Sequence, residues 1–171
     1  MSCYKYWGKL EEIADKLSSY GDLDKYGDSA LDDVDLDEII ERALLVKKYV
    51  VEQDEKESHL RKILNYGHTI GHAIESCCMP QYYHGEAVGL GMLMICEDET
   101  IRNRIKNCLN RLECPTDISF NAEELYEVLT MDKKAGKNTI SVVVVDKIGE
   151  AGVETRSFSQ MKELLNRREA E

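Results

Sequence analysis

The stretch Arg61-Lys62-Ile63-Leu64-Asn65-Tyr66-Gly67-His68-Thr69-Ile70-Gly71-His72-Ala73-Ile74-Glu75, continued by His84-Gly85-Glu86-Ala87-Val88, decides how this chain is read. It gathers three of the four histidines, an arginine and an amide into one short segment. Imidazole ligates metals and has the unperturbed pKa nearest neutrality, while guanidinium binds anions. On a helix, His68 and His72 share a face, and steps of four, three and four put Arg61, Asn65, His68 and His72 on a single stripe. A stripe so polar has no reason to face a hydrophobic core. His84 follows the helix-breaking Cys77-Cys78-Met79-Pro80, where a turn brings it back toward His68. The expectation is a metal-dependent active site.

An i, i+4 histidine pair without further context is more often structural than metal-binding. Context changes the balance here. Gly67, Gly71 and Gly85 each precede a histidine or a glutamate, and glycine inside a helical pattern costs about 1 kcal/mol against alanine. Such positions make sense where the backbone closely approaches a ligand or a neighbouring helix.

The residues from Lys47 through Val50-Val51, Asp54-Glu55, Glu57, Leu60-Arg61 and Leu64-Asn65 into the histidine motif, then His84-Gly85-Glu86-Ala87-Val88, closely resemble the C-terminal domain of 3-dehydroquinate synthase. Met131-Asp132-Lys133-Lys134, the run Ile140 to Val145 and Ile148-Gly149 follow the same family order, so the resemblance spans about Leu36 to Glu163. It implies a mainly α, helical metal- and substrate-binding domain over residues 1–171, with one short strand near 140–145. It further implies zinc or another divalent metal on His68 and His84, with His72 in the proton-transfer network and Glu57 in an acid/base part. Lys47, Arg61 and Asn65 would hold the phosphate and carboxylate of a phosphorylated seven-carbon sugar acid, and one of Lys133 and Lys134 would reach the same substrate.

Chemistry agrees with these implied roles. Arg61 suits bidentate binding of phosphate or carboxylate, and Lys47 is a point charge for the same anion. Taken singly, each reads as an ordinary surface ion pair worth little energetically. Glu57 sits in a charged run whose default reading is a solvated helix face, and Lys133-Lys134 is a common surface pattern.

The sequence also departs from the family. No strand, Gly-rich turn and helix precede the histidine motif, so the NAD-binding N-terminal domain is missing and NAD is expected of the complete enzyme rather than of this chain. The family's third zinc ligand is a glutamate near the start of the domain; in Met1-Ser2-Cys3-Tyr4-Lys5-Tyr6, Ser2 stands at that place. Zinc binding is therefore expected to be weak and incomplete. His59 replaces a usual glycine. The leading expectation is the C-terminal part of a 3-dehydroquinate synthase-like lyase of the shikimate pathway, inactive alone, whose partners are the missing domain and the sugar phosphate. A homodimer stays open. The alternatives are a related sugar-phosphate cyclase, a polyol dehydrogenase fragment, or a truncated non-catalytic binding or oligomerisation module.

Composition bounds the rest. With 43% hydrophobic residues and no apolar run near the length of a membrane span, one non-membrane domain is expected. No basic region leads into an apolar stretch at the start, so the expectation is a cytoplasmic protein. A net charge of -11 speaks against nucleic acid, and obliges the local cations to overcome the global field before an anionic substrate can bind. The six cysteines lack Cys-x-x-Cys spacing and read as reduced thiols, mostly buried.

Periodicity predicts helices over Leu36 to about Lys56, Leu64 to Cys77, Glu86 to about Leu112, Asn121 to about Met131 and Ser159 to Arg168. An Asp35-Glu38 capping box opens the first. Its apolar positions are Ile39, Ala43, Val46 and Val50. The start of the third, Ala87 to Met92, is apolar all round and expected to be buried. Met92 and Met94 read as core filler. Ser18 to Asp35 reads as a loop.

Overall fold

The computed structural model describes residues 36–57, 60–78, 80–131 and 138–170. Ser2, the Asp35 cap, His59, Lys133 and Lys134, together with the expected loop at 18–35, lie outside the described residues. Helix α1 spans Leu36–Gln53 and a 3-10 helix spans Leu60–Asn65. Then come α2 (His68–Cys78), α3 (His84–Ile95), α4 (Glu99–Arg111) and α5 (Ala122–Thr130). An antiparallel hairpin, β1 (Thr139–Lys147) and β2 (Glu150–Ser157), leads into α6 (Phe158–Glu169). The domain is mainly helical, as expected.

The core forms where α2 and α3 meet. Ile70, Ala73 and Ile74 of α2 pack with Ala87, Leu90 and Met94 of α3. Leu125 of α5, Val142 and Val144 of β1, and Met161, Leu164 and Leu165 of α6 close over them. Burying each of the larger side chains contributes about 1.5–3 kcal/mol, so this layer fixes how α2 sits on α3. Helix α3 is buried from Ala87 to Gly91 and again at Leu93 to Ile95, as its all-round apolar sequence requires. Met94 is core, and Met92 packs against a second cluster around Leu93, Ile101 and Ile105. Of the expected apolar positions of α1 whose burial is described, Val50 is sealed, Ala43 is exposed and Val46 half-buried.

Three expectations need correction. The helix expected from Leu64 to Cys77 is interrupted: the 3-10 turn stops at Asn65, and Gly67 takes φ +78 before α2 begins. The single helix expected from Glu86 to Leu112 is two. Asp98 accepts a hydrogen bond from the Ile101 amide at 2.9 Å and starts α4 as its N-cap. The carbonyls left at the end of α3 are met by Arg168 of α6, which donates to Met94 O at 3.0 Å and to Cys96 O. Finally, the strand at 140–145 has a partner. β2 pairs with it across the tight Ile148-Gly149 turn, where Gly149 has φ +88.

Candidate metal and anion site

Two helices and a turn build the site. Gly67 and Gly71 face Gly91, and a Cβ placed on Gly91 would overlap the Gly67 carbonyl oxygen and come within 2.7 Å of the Gly71 nitrogen. Backbone therefore meets backbone at this crossing, and the close approach expected of Gly67 and Gly71 is present. Gly85 differs, since nothing lies within 4 Å of a Cβ there. The crossing sets the start of α3 against α2 and brings His84 to the two histidines of α2.

The three imidazoles form a nearly equilateral triangle. Ring centroids are 5.7 Å apart for His68 and His72, 5.6 Å for His68 and His84, and 5.5 Å for His72 and His84. His72 and His84 are exposed and His68 is half-buried. Zinc takes nitrogen ligands at about 2.0–2.1 Å, so a shared ion requires its imidazoles on one small patch, and these rings occupy one. The donor set is nitrogen with one nearby carboxylate, which suits zinc or a similar transition metal. Glu75 supplies that carboxylate: its Oε2 is 3.0 Å from His84 Nδ1. Single donor atoms of His72, Glu75 and His84 all lie within 4.8 Å of one another. His68 joins the triangle of rings without joining that closer set.

The single polar stripe expected for Arg61, Asn65, His68 and His72 is broken at Gly67, so Arg61 and Asn65 form a cluster of their own with Glu57. Asn65 Nδ2 donates to Glu57 Oε1 at 2.8 Å, and Arg61 Nε stands 3.9 Å from Glu57 Oε2. Arg61 Nη1 also donates to the Glu55 carbonyl at 3.0 Å. Glu57 holds a left-handed backbone with φ 54, a conformation costly for a residue with a Cβ and frequent at functional sites. No hydrogen bond or ion pair of this cluster reaches the histidines among the described residues. Lys47 is exposed on α1 and has no hydrogen-bond or ion-pair partner among the described residues.

Two residues of the region carry no expected role in the sequence reading. Glu75 is one. The other is Asp54, buried at the end of α1, whose Oδ2 accepts from the Arg61 amide at 3.1 Å. That bond ties the loop holding Glu57 to the 3-10 helix holding Arg61 and Asn65. Asp54→Ala strands the Arg61 amide, and we expect a loss of about 1–3 kcal/mol in a urea titration. A change under about 0.5 kcal/mol, the level of an ordinary surface substitution, would show that the loop stands without it.

The described cysteines are all free. Only Cys96 and Cys108 are buried; Cys77 is exposed, and Cys78 and Cys114 are half-buried, so the expectation of mostly buried thiols holds for two of them. Burial pushes the Cys96 thiol up, away from nucleophilic thiolate character. No helix among the described residues is long and apolar enough to cross a membrane.

Comparison with known structures finds the same fold in two synthases. The crystal structure of 2-deoxy-scyllo-inosose synthase complexed with carbaglucose-6-phosphate, NAD+ and Co2+ matches with a TM-score of 0.65 at 23% identity, over 75% of this chain and 41% of that one. The 2-epi-5-epi-valiolone synthase of Streptomyces hygroscopicus subsp. jinggangensis, with NAD+ and Zn2+ bound, matches with a TM-score of 0.64 at 19% identity, over 93% of this chain and 46% of that one. At these identities the likeness is one of fold.

Sequence carries the particular family. Residues 9–135 match the family described as 3-dehydroquinate synthase C-terminal, and the chain belongs to it. The 3-dehydroquinate synthase of Thermoanaerobacter pseudethanolicus is 37% identical over 145 residues, 79% of this chain and 41% of the relative. That of Streptococcus mutans is 38% identical over 156 residues, 85% of this chain and 43% of the relative. The chain thus spans less than half the length of these relatives.

Proposed function

We propose that this chain is the metal- and substrate-binding part of a 3-dehydroquinate synthase, converting 3-deoxy-D-arabino-heptulosonate 7-phosphate to 3-dehydroquinate with loss of phosphate, and that it needs a separate NAD-binding domain to turn over. The observation that carries this reading is the meeting of His68, His72 and His84 on one patch, in a chain that also joins Glu57, Arg61 and Asn65 in a cluster. His68 and His84 would hold a divalent metal, which when bound supplies Lewis-acid polarisation of a substrate oxygen.

The chain's own side chains account for the remaining roles. Arg61 offers two parallel N–H donors to phosphate or carboxylate. Its present contact with Glu57 is long and partly solvated, so an incoming dianion displaces it at small cost. Glu57 is then free to accept or return a proton, held in place by Asn65. His72 is exposed and suited to carry a proton between substrate and solvent. Lys47 and one of Lys133 and Lys134 would add positive charge, which a chain of net charge -11 needs locally to attract an anion. The hydride carrier belongs to the other domain. We assign the protein to the cytoplasm with its substrate.

The sugar-phosphate cyclases that share the fold stand below 25% identity, whereas the dehydroquinate synthases stand at 37% and 38%. The hydrogen-bonded Glu57–Asn65 pair beside Arg61 favours the synthase over a polyol dehydrogenase or a non-catalytic module. To test the reading, the chain is mixed with a relative's N-terminal domain, NAD and zinc, and phosphate release from the heptulosonate phosphate is measured. Release is expected only from the mixture, and Arg61→Ala is expected to lower kcat/KM about 10- to 100-fold, the worth of a lost charge-assisted hydrogen bond. A stable mixture that binds substrate without releasing phosphate would sink the proposal.

A further inference from the structure

A neutral imidazole carries one N–H and one lone pair, so the partner of one nitrogen decides what the other can do. His84 Nδ1 lies 3.0 Å from Glu75 Oε2. An ionised carboxylate only accepts, so Nδ1 must carry the proton and Nε2 keeps its lone pair. His68 obeys the same logic through a different partner: its Nδ1 lies 3.3 Å from the Tyr66 carbonyl, which also only accepts. The ring nitrogens of His72 have no hydrogen-bond partner among the described residues. Hydrogen bonding therefore sorts the three histidines into two with a fixed ring and tautomer and one whose tautomer is unconstrained.

We propose that Glu75 is a positioning residue: it locks His84 as the Nδ1–H tautomer, aims Nε2 at a divalent metal shared with His68, and leaves His72 to exchange protons. The proposal rests on the metal reading above and adds to it the residue that makes His84 a competent ligand. Glu75 is well placed for this. It projects from α2 one turn beyond His72, while His84 opens α3, so the bond spans the two helices across the connecting turn. Holding a ligating imidazole through its second nitrogen fixes ring orientation and raises basicity. The carboxylate at 3.0 Å is engaged with the ring nitrogen through one oxygen, and the Glu75→Gln titration below separates this role from direct ligation.

The test uses the 171-residue chain, stripped of metal with EDTA and then titrated with zinc. Nitrogen-15 NMR of the His84 ring at pH 8 is expected to show the Nδ1–H tautomer before metal is added. Glu75→Ala should shift His84 toward the Nε2–H form and weaken zinc binding about 10- to 100-fold. Glu75→Gln keeps an oxygen acceptor and the side-chain shape, so it should recover most of both properties and guards against misfolding of the alanine variant. An unchanged tautomer and affinity in Glu75→Ala would overturn the proposal. So would a zinc loss in Glu75→Gln as large as that of His84→Ala, since it would make Glu75 a ligand. A wild-type chain that shows the expected tautomer but takes up no zinc overturns the metal reading and leaves only the hydrogen bond.

Discussion

Gly91→Ala is expected to destabilise the domain by about 3 kcal/mol, the upper part of the usual range for overpacking a close contact. The added methyl has nowhere to go. It would overlap the Gly67 carbonyl and crowd the Gly71 nitrogen, and backbone, unlike the end of a flexible side chain, cannot swing aside. The helices must separate, and separation removes contacts among Ile70, Ile74, Leu90 and Met94. Gly85→Ala in the same helix is the control, because a Cβ there meets nothing within 4 Å and helix propensity favours alanine by up to about 1 kcal/mol. Denaturant titrations of the two variants should differ by about 3 kcal/mol or more. Equal midpoints would mean that the two helices separate at little cost. Because the same crossing sets His84 against His68 and His72, Gly91→Ala should weaken zinc binding as well as folding.

That pairing of glycines explains which parts of the site could be read from sequence. Three histidines and the amides and cations around them are visible as residue types, and the spacing of His68 and His72 survives because both lie within α2. The stripe through Arg61 and Asn65 does not survive. Its expectation assumed one continuous helix, and Gly67 reads the same on paper whether it is tolerated in a helix or turns the chain with positive φ. The close approach of α3 resolves that ambiguity, since no side chain fits there, and the approach is a tertiary fact.

The other departures have similar causes. Asp98 is a good N-cap, yet apolar residues continue at helical spacing on both sides of it, so periodicity ran through the break between α3 and α4. β2 is not legible in the sequence because it is almost wholly exposed, from Glu150 to Thr155, and carries no inward alternation. Its signal lay in the turn, with Gly149 between a β-branched run and Glu150, and in the Lys147–Glu150 ion pair at 2.8 Å. Glu75 and Asp54 were legible as acidic residues and nothing more. Their meaning comes from the groups they meet, an imidazole nine residues on and an amide seven residues on, and in neither case do the two partners share a helix.

Zinc affinity is where the assignment of the histidines meets its sharpest trial. His68→Ala and His84→Ala are each expected to cost more than the 10- to 100-fold loss typical of removing a supporting partner, about 100-fold or more, because each takes away a donor whose tautomer is already set for ligation. His72→Ala should cost less than about 10-fold, below that supporting range. The competing arrangement is written in the same geometry: His72, Glu75 and His84 present donor atoms within 4.8 Å, closer together than any set that includes His68. If that trio were the site, His72→Ala would match His84→Ala and His68→Ala would be nearly silent. Competition against a chromophoric chelator measures all three variants, and cobalt substitution reports any change in donor number through its visible absorption. Hydrogen bonds favour the first outcome. The Glu75 carboxylate already accepts from the His84 ring, whereas His68, with its Nδ1 turned to the Tyr66 carbonyl, keeps Nε2 for a metal.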